Sequence, residues 1–123
     1  MTEDLLQRAR QAVRSAKTLL STGDLNGTVN RAYYAMFYAA HAALAHRGIE
    51  AASSKHGILV AHFGQHLVKT RLLPRSLGKS LNQMLELRQR ADYSGTSVTP
   101  VDAERGLSQA EAFVAAVERL IRG

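Results

Sequence analysis

The chain has 123 residues, a length that suits one domain with its own core, and we take residues 1–123 as a single domain. It contains no cysteine, which excludes disulfides, thiol catalysis and cysteine-ligated zinc. The formal net charge is +6, and residues 51–90 hold seven Lys or Arg against the single acid Glu86. This basic segment favours a polyanionic partner such as RNA or a nucleotide, and a solvated face opposite an acidic protein explains it equally well.

No stretch of the sequence is apolar for long enough to span a bilayer. The most apolar stretch, residues 32–45, contains His41 and runs directly into His46 and Arg47. Residues 1–10 lack the apolar segment of a signal peptide. We therefore expect a cytoplasmic protein with no membrane partner.

The first half of the chain predicts two helices. Apolar residues recur with helical spacing over residues 3–21, and Gly23 ends that helix. Asp24 is placed to cap a second helix over residues 25–46. Because this second helix is apolar on nearly all sides, we expect it to lie at the centre of the fold.

The second half predicts three more helices, with no alternating β pattern to compete. A third helix is predicted over residues 55–69, capped by Ser53 or Ser54, and a fourth over residues 75–93. Thr99 can cap a fifth helix that ends near Arg122. Five helices with short connections predict an all-α, antiparallel up-and-down helical bundle.

Two histidines raise the question of a metal site. His62 and His66 are four residues apart on the third helix, a spacing that places two imidazoles near one ion. Zinc proteases have a glutamate directly after the first histidine, where this chain has Phe63. No third ligand is indicated, and no phosphate-binding loop or nucleophile elbow is present. We therefore expect neither a metal nor a cofactor.

Residues 31–38, RAYYAMFY, place four aromatic side chains on one broad face of the second helix. Packing in the core is the favoured interpretation of this face. Buried tyrosine hydroxyls would then need partners, and Arg31, one turn earlier, is a candidate. Arg31 could instead pair with a carboxylate of the fourth helix.

Arg88 falls on or beside the apolar stripe of the fourth helix, where a charge is costly unless it is paired. Asp92 lies four residues on, within reach on the same helix face, and Tyr93 follows it. An inward Arg–Asp pair is either a structural clamp or a polar site, in which the guanidinium holds a phosphate. The spacing leaves both interpretations open.

Three segments in this order resemble the HEPN domain family, and more narrowly its small stand-alone prokaryotic branch. They are RAYYAMFYAA at residues 31–40, SKHG at 54–57 and RxxADY ending at Tyr93. The resemblance covers essentially the whole chain. It implies a helical bundle that forms homodimers and pairs with a minimal nucleotidyltransferase in modules like those of toxins and antitoxins.

Many members of this family are metal-independent ribonucleases, which use an Arg followed a few residues later by a His. Arg88 matches the Arg of that motif, but Tyr93 stands five residues later, and no histidine follows Arg88. A tyrosine of ordinary pKa is a poor general base at neutral pH, so the catalytic role does not carry over to position 93. His56 on the third helix is the histidine that could replace the missing one.

We therefore predict a protein that binds RNA, a nucleotide or a nucleotidyltransferase through a polar groove. In this hypothesis Arg88 contacts phosphate, Asp92 orients it, Tyr93 offers a hydroxyl, and other cations add attraction: Lys55, Arg90 and Arg31. One alternative is a metal-independent endoribonuclease that uses Arg88 with His56 or Tyr93. Another is a bundle that binds only protein, in which Arg88 and Asp92 clamp the fourth helix.

Overall fold

A computed structural model describes residues 1–50, 55–93 and 98–123 of the chain. The described residues form five α-helices and no strand, which confirms the predicted all-α bundle. In chain order these helices are α1 (Thr2–Ser21), α2 (Leu25–His46), α3 (His56–Phe63), α4 (Arg75–Tyr93) and α5 (Pro100–Arg122). The part of the chain that the structure describes includes no helix long and apolar enough to cross a membrane.

Helix α2 is the central helix, as its apolar composition predicted. Twelve of its residues are buried, and it packs against each of the other four helices. A turn at Gly23 (φ +83°) joins it to α1, and the predicted cap forms: the Gly27 N–H donates to Asp24 Oδ1 at 2.8 Å. The short turn makes α1 and α2 antiparallel neighbours, so that each buries an apolar face against the other.

Helix α5 packs against both α2 and α1. Its N-terminus has the predicted capping box, in which the Asp102 N–H donates to Thr99 Oγ1 at 3.1 Å. Arg10 of α1 pairs with Glu118 of α5 at 2.8 Å, and Lys17 pairs with Glu111 at 3.1 Å. Because a later residue of α1 meets an earlier residue of α5, these ion pairs show that the two helices run antiparallel.

The third helix differs from the prediction in two ways. The residue at its N-cap is Lys55, which makes no side-chain capping bond, and the predicted capping residues, Ser53 and Ser54, lie outside the described residues. Its last part is a π-helical turn, Gly64–Val68, closed by the Lys69 N–H donating to the Gly64 carbonyl at 2.8 Å. This turn therefore contains one residue more than a turn of α-helix.

Candidate functional site at the α2–α4 contact

Arg88 lies where α4 crosses the aromatic face of α2. Its side chain is only 14% exposed, and its guanidinium carbon lies 5.4 Å from the ring centroids of both Tyr33 and Tyr34. At this distance a guanidinium is attracted to the electron-rich face of an aromatic ring. The two tyrosines therefore stabilise a cation that the apolar stripe of α4 directs toward the interior.

The predicted pair of Arg88 with Asp92 forms, although it uses little of the hydrogen-bonding capacity of the arginine. Arg88 Nε lies 3.2 Å from Asp92 Oδ2, and the two side chains are 14% and 30% exposed. The Nε–H is buried and does not point at that oxygen, so the contact is an ion pair without a hydrogen bond. The carboxylate compensates the charge of Arg88 and leaves its Nε–H without a hydrogen-bond acceptor among the described residues.

His56, the first residue of α3, is packed against the same aromatic face. Its ring centroid lies 4.7 Å from that of Phe37, 5.3 Å from Tyr33 and 5.7 Å from Tyr34. The hydroxyl of Tyr33 is 2.5 Å from His56 Nδ1. This contact engages Nδ1, and no hydrogen bond to the other ring nitrogen, Nε2, is found among the described residues.

Burial and charge keep His56 neutral. Burial lowers the pKa of this imidazole below its usual value of 6.5, and the positive charge of Arg88 lowers it further. Burial also raises the pKa of the Tyr33 hydroxyl, against the opposing influence of Arg88, so this hydroxyl stays protonated. At neutral pH the site thus contains one permanent cation beside an uncharged imidazole.

Arg31 approaches the same cluster from α2 itself. Its guanidinium carbon is 4.9 Å from the ring centroid of Tyr34, so that Tyr34 is shared by Arg31 and Arg88. We predicted that Arg31 would bond a tyrosine hydroxyl or an α4 carboxylate, and the structure shows neither contact. Its Nε donates to Asn30 Oδ1 at 3.1 Å, and the partner of the Tyr33 hydroxyl is His56.

The predicted core role of the aromatic face is correct for Tyr33 and Phe37, which are buried, while Tyr34 is half-buried. The helical spacing of the aromatic residues did not single out Tyr34 as the ring that links two arginines. One signal was present, because Arg31 precedes Tyr34 by three residues and so lies on the same side of α2.

Of the other candidate residues, Tyr93 and Arg90 lie away from this cluster, and Lys55 is next to it in the sequence. Tyr93 is 78% exposed, and it lines a surface pocket with Arg90 on α4. Each residue turns a helix by about 100°, which directs positions 90 and 93 away from Arg88. Lys55 is exposed and directly precedes His56. The structure therefore brings together His56, Arg88, Asp92 and Arg31, and it separates Tyr93 and Arg90 from them.

His62 and His66 stack with their ring centroids 5.6 Å apart and 11° between their planes. Within residues 1–50, 55–93 and 98–123 there is no group of three side chains of the types that ligate metals. Two stacked imidazoles without a third ligand give no support for a metal site at this place.

Comparisons with known proteins agree with this architecture. The family model described as HEPN domain matches residues 2–120. A UPF0332 protein of Thermotoga maritima is 37% identical over 94% of this chain and 86% of its own length. A Methanocaldococcus jannaschii protein named "Putative toxin MJ0605" is 28% identical over 96% of this chain and 87% of its own length. The family match spans nearly every residue and includes all five helices, and the chain belongs to the HEPN domain family.

Proposed function

We propose that this protein binds RNA and that Arg88 is its principal phosphate ligand. The observation that carries the proposal is an arginine side chain, only 14% exposed, whose Nε–H has no hydrogen-bond acceptor among the described residues. A planar guanidinium is suited to hold two phosphate oxygens at once. Family membership, the relatives named as toxins and the basic segment of residues 51–90 all support the same class of ligand.

The other residues of the proposal have supporting parts. Asp92 holds the guanidinium in place by charge, and Arg31 adds a second cation beside the Tyr34 ring. Lys55 and Arg90 strengthen the general attraction for a polyanion. Tyr93 is left out, because it is on another face of α4.

One specific observation favours cleavage of the bound RNA as a second function. His56 is neutral beside Arg88, and in the tautomer whose Nδ1–H donates to the Tyr33 hydroxyl, the unprotonated Nε2 can take a proton from a ribose 2′-hydroxyl. The 2′-oxygen then bonds to phosphorus, the bond from phosphorus to the 5′-oxygen breaks, and that oxygen takes a proton from water. Arg88 would stabilise the charge that develops on the phosphate oxygens. The products are a 2′,3′-cyclic phosphate and a 5′-hydroxyl.

The test is incubation of end-labelled RNA in EDTA with the wild-type protein, Arg88→Ala and His56→Asn. His66→Asn is the matched control, since it removes an imidazole from the π-helical turn that follows α3 and leaves the site unchanged. We expect the wild type and the control to leave cyclic phosphate ends, and both site variants to lose cleavage while keeping the helical circular dichroism spectrum.

The outcomes separate the two functions. Cleavage that persists in folded His56→Asn would contradict the role of His56 and leave binding by Arg88 as the function. Equal RNA binding by the wild type and folded Arg88→Ala would contradict the proposal as a whole. The protein-binding alternative, in which Arg88 only clamps α4, would then describe the site.

We also propose a homodimer and a minimal nucleotidyltransferase as partners. Support for the dimer comes from Ile58, which is 43% exposed two residues after His56 on a strongly apolar helix. Light scattering of the wild type and of Ile58→Glu tests it, with a dimer expected for the first and a monomer for the second. The nucleotidyltransferase rests on the family resemblance, and copurification of the two proteins tests it.

A further inference from the structure

The corner between the π-helical turn and α4 has four exposed cations, which we call the basic corner: Lys69, Arg71, Arg75 and Lys79. Residues 67–79, which contain all four, have no acidic side chain. Among the described residues, none of the four takes part in an ion pair. The positive charge of this corner is therefore not neutralised by that part of the protein.

Backbone contacts hold these cations close together. The Arg71 N–H donates to the Val68 carbonyl at 2.9 Å, which closes the turn after the π-helical segment. A β-carbon built on Gly78 would lie 3.2 Å from Val68 Cγ2, so the first turns of α4 pass very near this segment. Because Lys69 follows Val68 and Lys79 follows Gly78, both lysines start from the same close contact.

Two of the four cations occupy positions where they weaken the fold. Arg71 has φ +64°, the left-handed conformation that glycine adopts at little cost and a bulky side chain does not. Arg75 begins α4, whose first turn has no acidic residue, although the positive end of the helix dipole disfavours a cation there. A strained backbone at Arg71 and an unfavourable charge at Arg75, four residues later, are costs that contact with an anionic ligand would offset.

We propose that the basic corner is a second contact for the RNA backbone, separate from the Arg88 site. This inference rests on the proposed function and extends it. Arg75 and Arg88 are 13 residues apart on α4, which is about 20 Å along the helix axis. A strand with about 3.4 Å between phosphates covers that distance with roughly six nucleotides.

The composition of the corner fits RNA better than a protein partner. The centres of protein interfaces are rich in aromatic residues and depleted of lysine. The corner has two lysines and two arginines, and its one exposed large apolar side chain is Leu72, at 37%. Long cationic side chains on an exposed turn match the regular charges of a phosphate backbone, which they contact without reading sequence.

The test measures the affinity for a fluorescent 2′-O-methyl oligouridylate of about 20 nucleotides, which spans both contacts and has no 2′-hydroxyl to attack. Fluorescence anisotropy over a series of salt concentrations compares the wild type with the triple variant Lys69→Gln, Arg75→Gln and Lys79→Gln. Each phosphate contact on a single strand adds about 0.7 to the salt slope, so we expect the slope to fall by about 2. The affinity at low salt should fall about tenfold or more.

A second triple variant is the matched control: Arg47→Gln, Arg105→Gln and Arg119→Gln. These three arginines are also exposed and lie outside residues 67–79. Replacing them removes the same net charge as the first triple variant. We expect the control to keep the salt slope of the wild type. If the two triple variants weaken binding equally, the basic corner is not an RNA contact, and an acidic protein becomes the candidate for it.

Arg71→Gly separates binding from stability. Glycine adopts φ +64° without strain, so the melting temperature should rise while the affinity for the oligonucleotide falls. Unchanged affinity in this variant and in the Lys69, Arg75 and Lys79 triple variant overturns the proposal. If instead folded Arg88→Ala binds normally and the triple variant does not, the Arg88 site is wrong and the corner stands. A wild type that does not bind the oligonucleotide contradicts both.

Discussion

The α1–α5 face and the α2–α4 contact treat their cations in opposite ways. On the α1–α5 face, Arg10 has a carboxylate of Glu118 at 2.8 Å, and Lys17 has Glu111 at 3.1 Å. At the α2–α4 contact, Arg88 lies over tyrosine rings, and its only ion-pair partner in the described residues makes no hydrogen bond with it. The first arrangement gives its cations carboxylate partners at hydrogen-bond distance, whereas the second leaves the Nε–H of Arg88 without a hydrogen-bond acceptor in the described residues.

The largest effect that this comparison predicts is on RNA binding. Replacing Arg88 by alanine should weaken binding roughly tenfold to a hundredfold, since a hydrogen bond to a charged group contributes about 1.5–3 kcal/mol. Replacing Arg10 should leave the affinity unchanged, because its donors already have acceptors in Glu118 and Glu3. Anisotropy titrations of both variants measure the difference.

Thermal melting of the same two variants checks the clamp alternative. The partly exposed ion pairs of Arg10 should contribute about 1 kcal/mol or less to the free energy of unfolding. We expect Arg88→Ala to lose a similar amount. A much larger loss of unfolding free energy for Arg88→Ala, with RNA binding lost only because the protein unfolds, would show that Arg88, like Arg10, stabilises the fold and does not bind a ligand.

The next largest effect is on the pH dependence of the free energy of unfolding, which we expect to differ between the two regions. Burial and Arg88 lower the pKa of His56 below 6.5, so the unfolded chain binds more protons than the folded one as the pH falls. Stability should therefore decrease as the pH falls below about 6.5, and His56→Gln should reduce this decrease. His41, whose pKa burial also lowers, contributes in the same direction.

The α1–α5 face responds at lower pH. The hydrogen bond from Arg10 lowers the pKa of the Glu3 carboxyl below 4.5, so its contribution is present above that pH and is lost below it. Urea unfolding of the wild type, His56→Gln and Glu3→Gln, measured at pH values from above 6.5 to below 4.5, follows the loss of stability from each region. If the free energy of unfolding has the same pH dependence in the wild type and in both variants, the assignment of one pH range to each region is contradicted.

The smallest effect is expected for Lys17. Its side chain is 56% exposed and that of Glu111 is 44% exposed, so water and salt screen the pair. Lys17→Ala should change the free energy of unfolding by about 0.5 kcal/mol or less, and RNA binding not at all. A loss of affinity equal to that of Arg88→Ala would mean that bulk charge, and not the α2–α4 contact, governs binding.

Local signals account for the helix bounds that the sequence predicts correctly. Asp24 and Thr99 cap their helices through bonds to residues three positions away, and Gly23 ends α1 by its own conformation. The π-helical turn was not predictable in this way. Its form depends on the packing of Val68 against Gly78, which joins two helices, and the apolar spacing of residues 64–68 fits an α-helix equally well.

In the candidate site, too, local contacts could be predicted from the sequence and long-range contacts could not. The pair of Arg88 with Asp92 follows from helical spacing and was predictable. The contact of Tyr33 with His56 joins residues 23 positions apart, and it depends on where α3 packs against α2. A histidine search limited to the residues after Arg88 finds none, because the imidazole comes from an earlier helix. Tertiary packing, and not motif spacing, decides which histidine accompanies this arginine.

The cap at the start of α2 makes positions 24 and 27 interdependent in evolution. A β-carbon on Gly27 would lie 2.5 Å from Asp24 Oδ2, so any other side chain displaces the capping carboxylate. With Asp24 present, the gain of about 1 kcal/mol in helix propensity from Gly27→Ala is offset by the displacement of the capping carboxylate; with alanine already at position 24, the gain is realised in full. The size of the effect at one position thus depends on the residue at the other, and we expect positions 24 and 27 to change together in evolution.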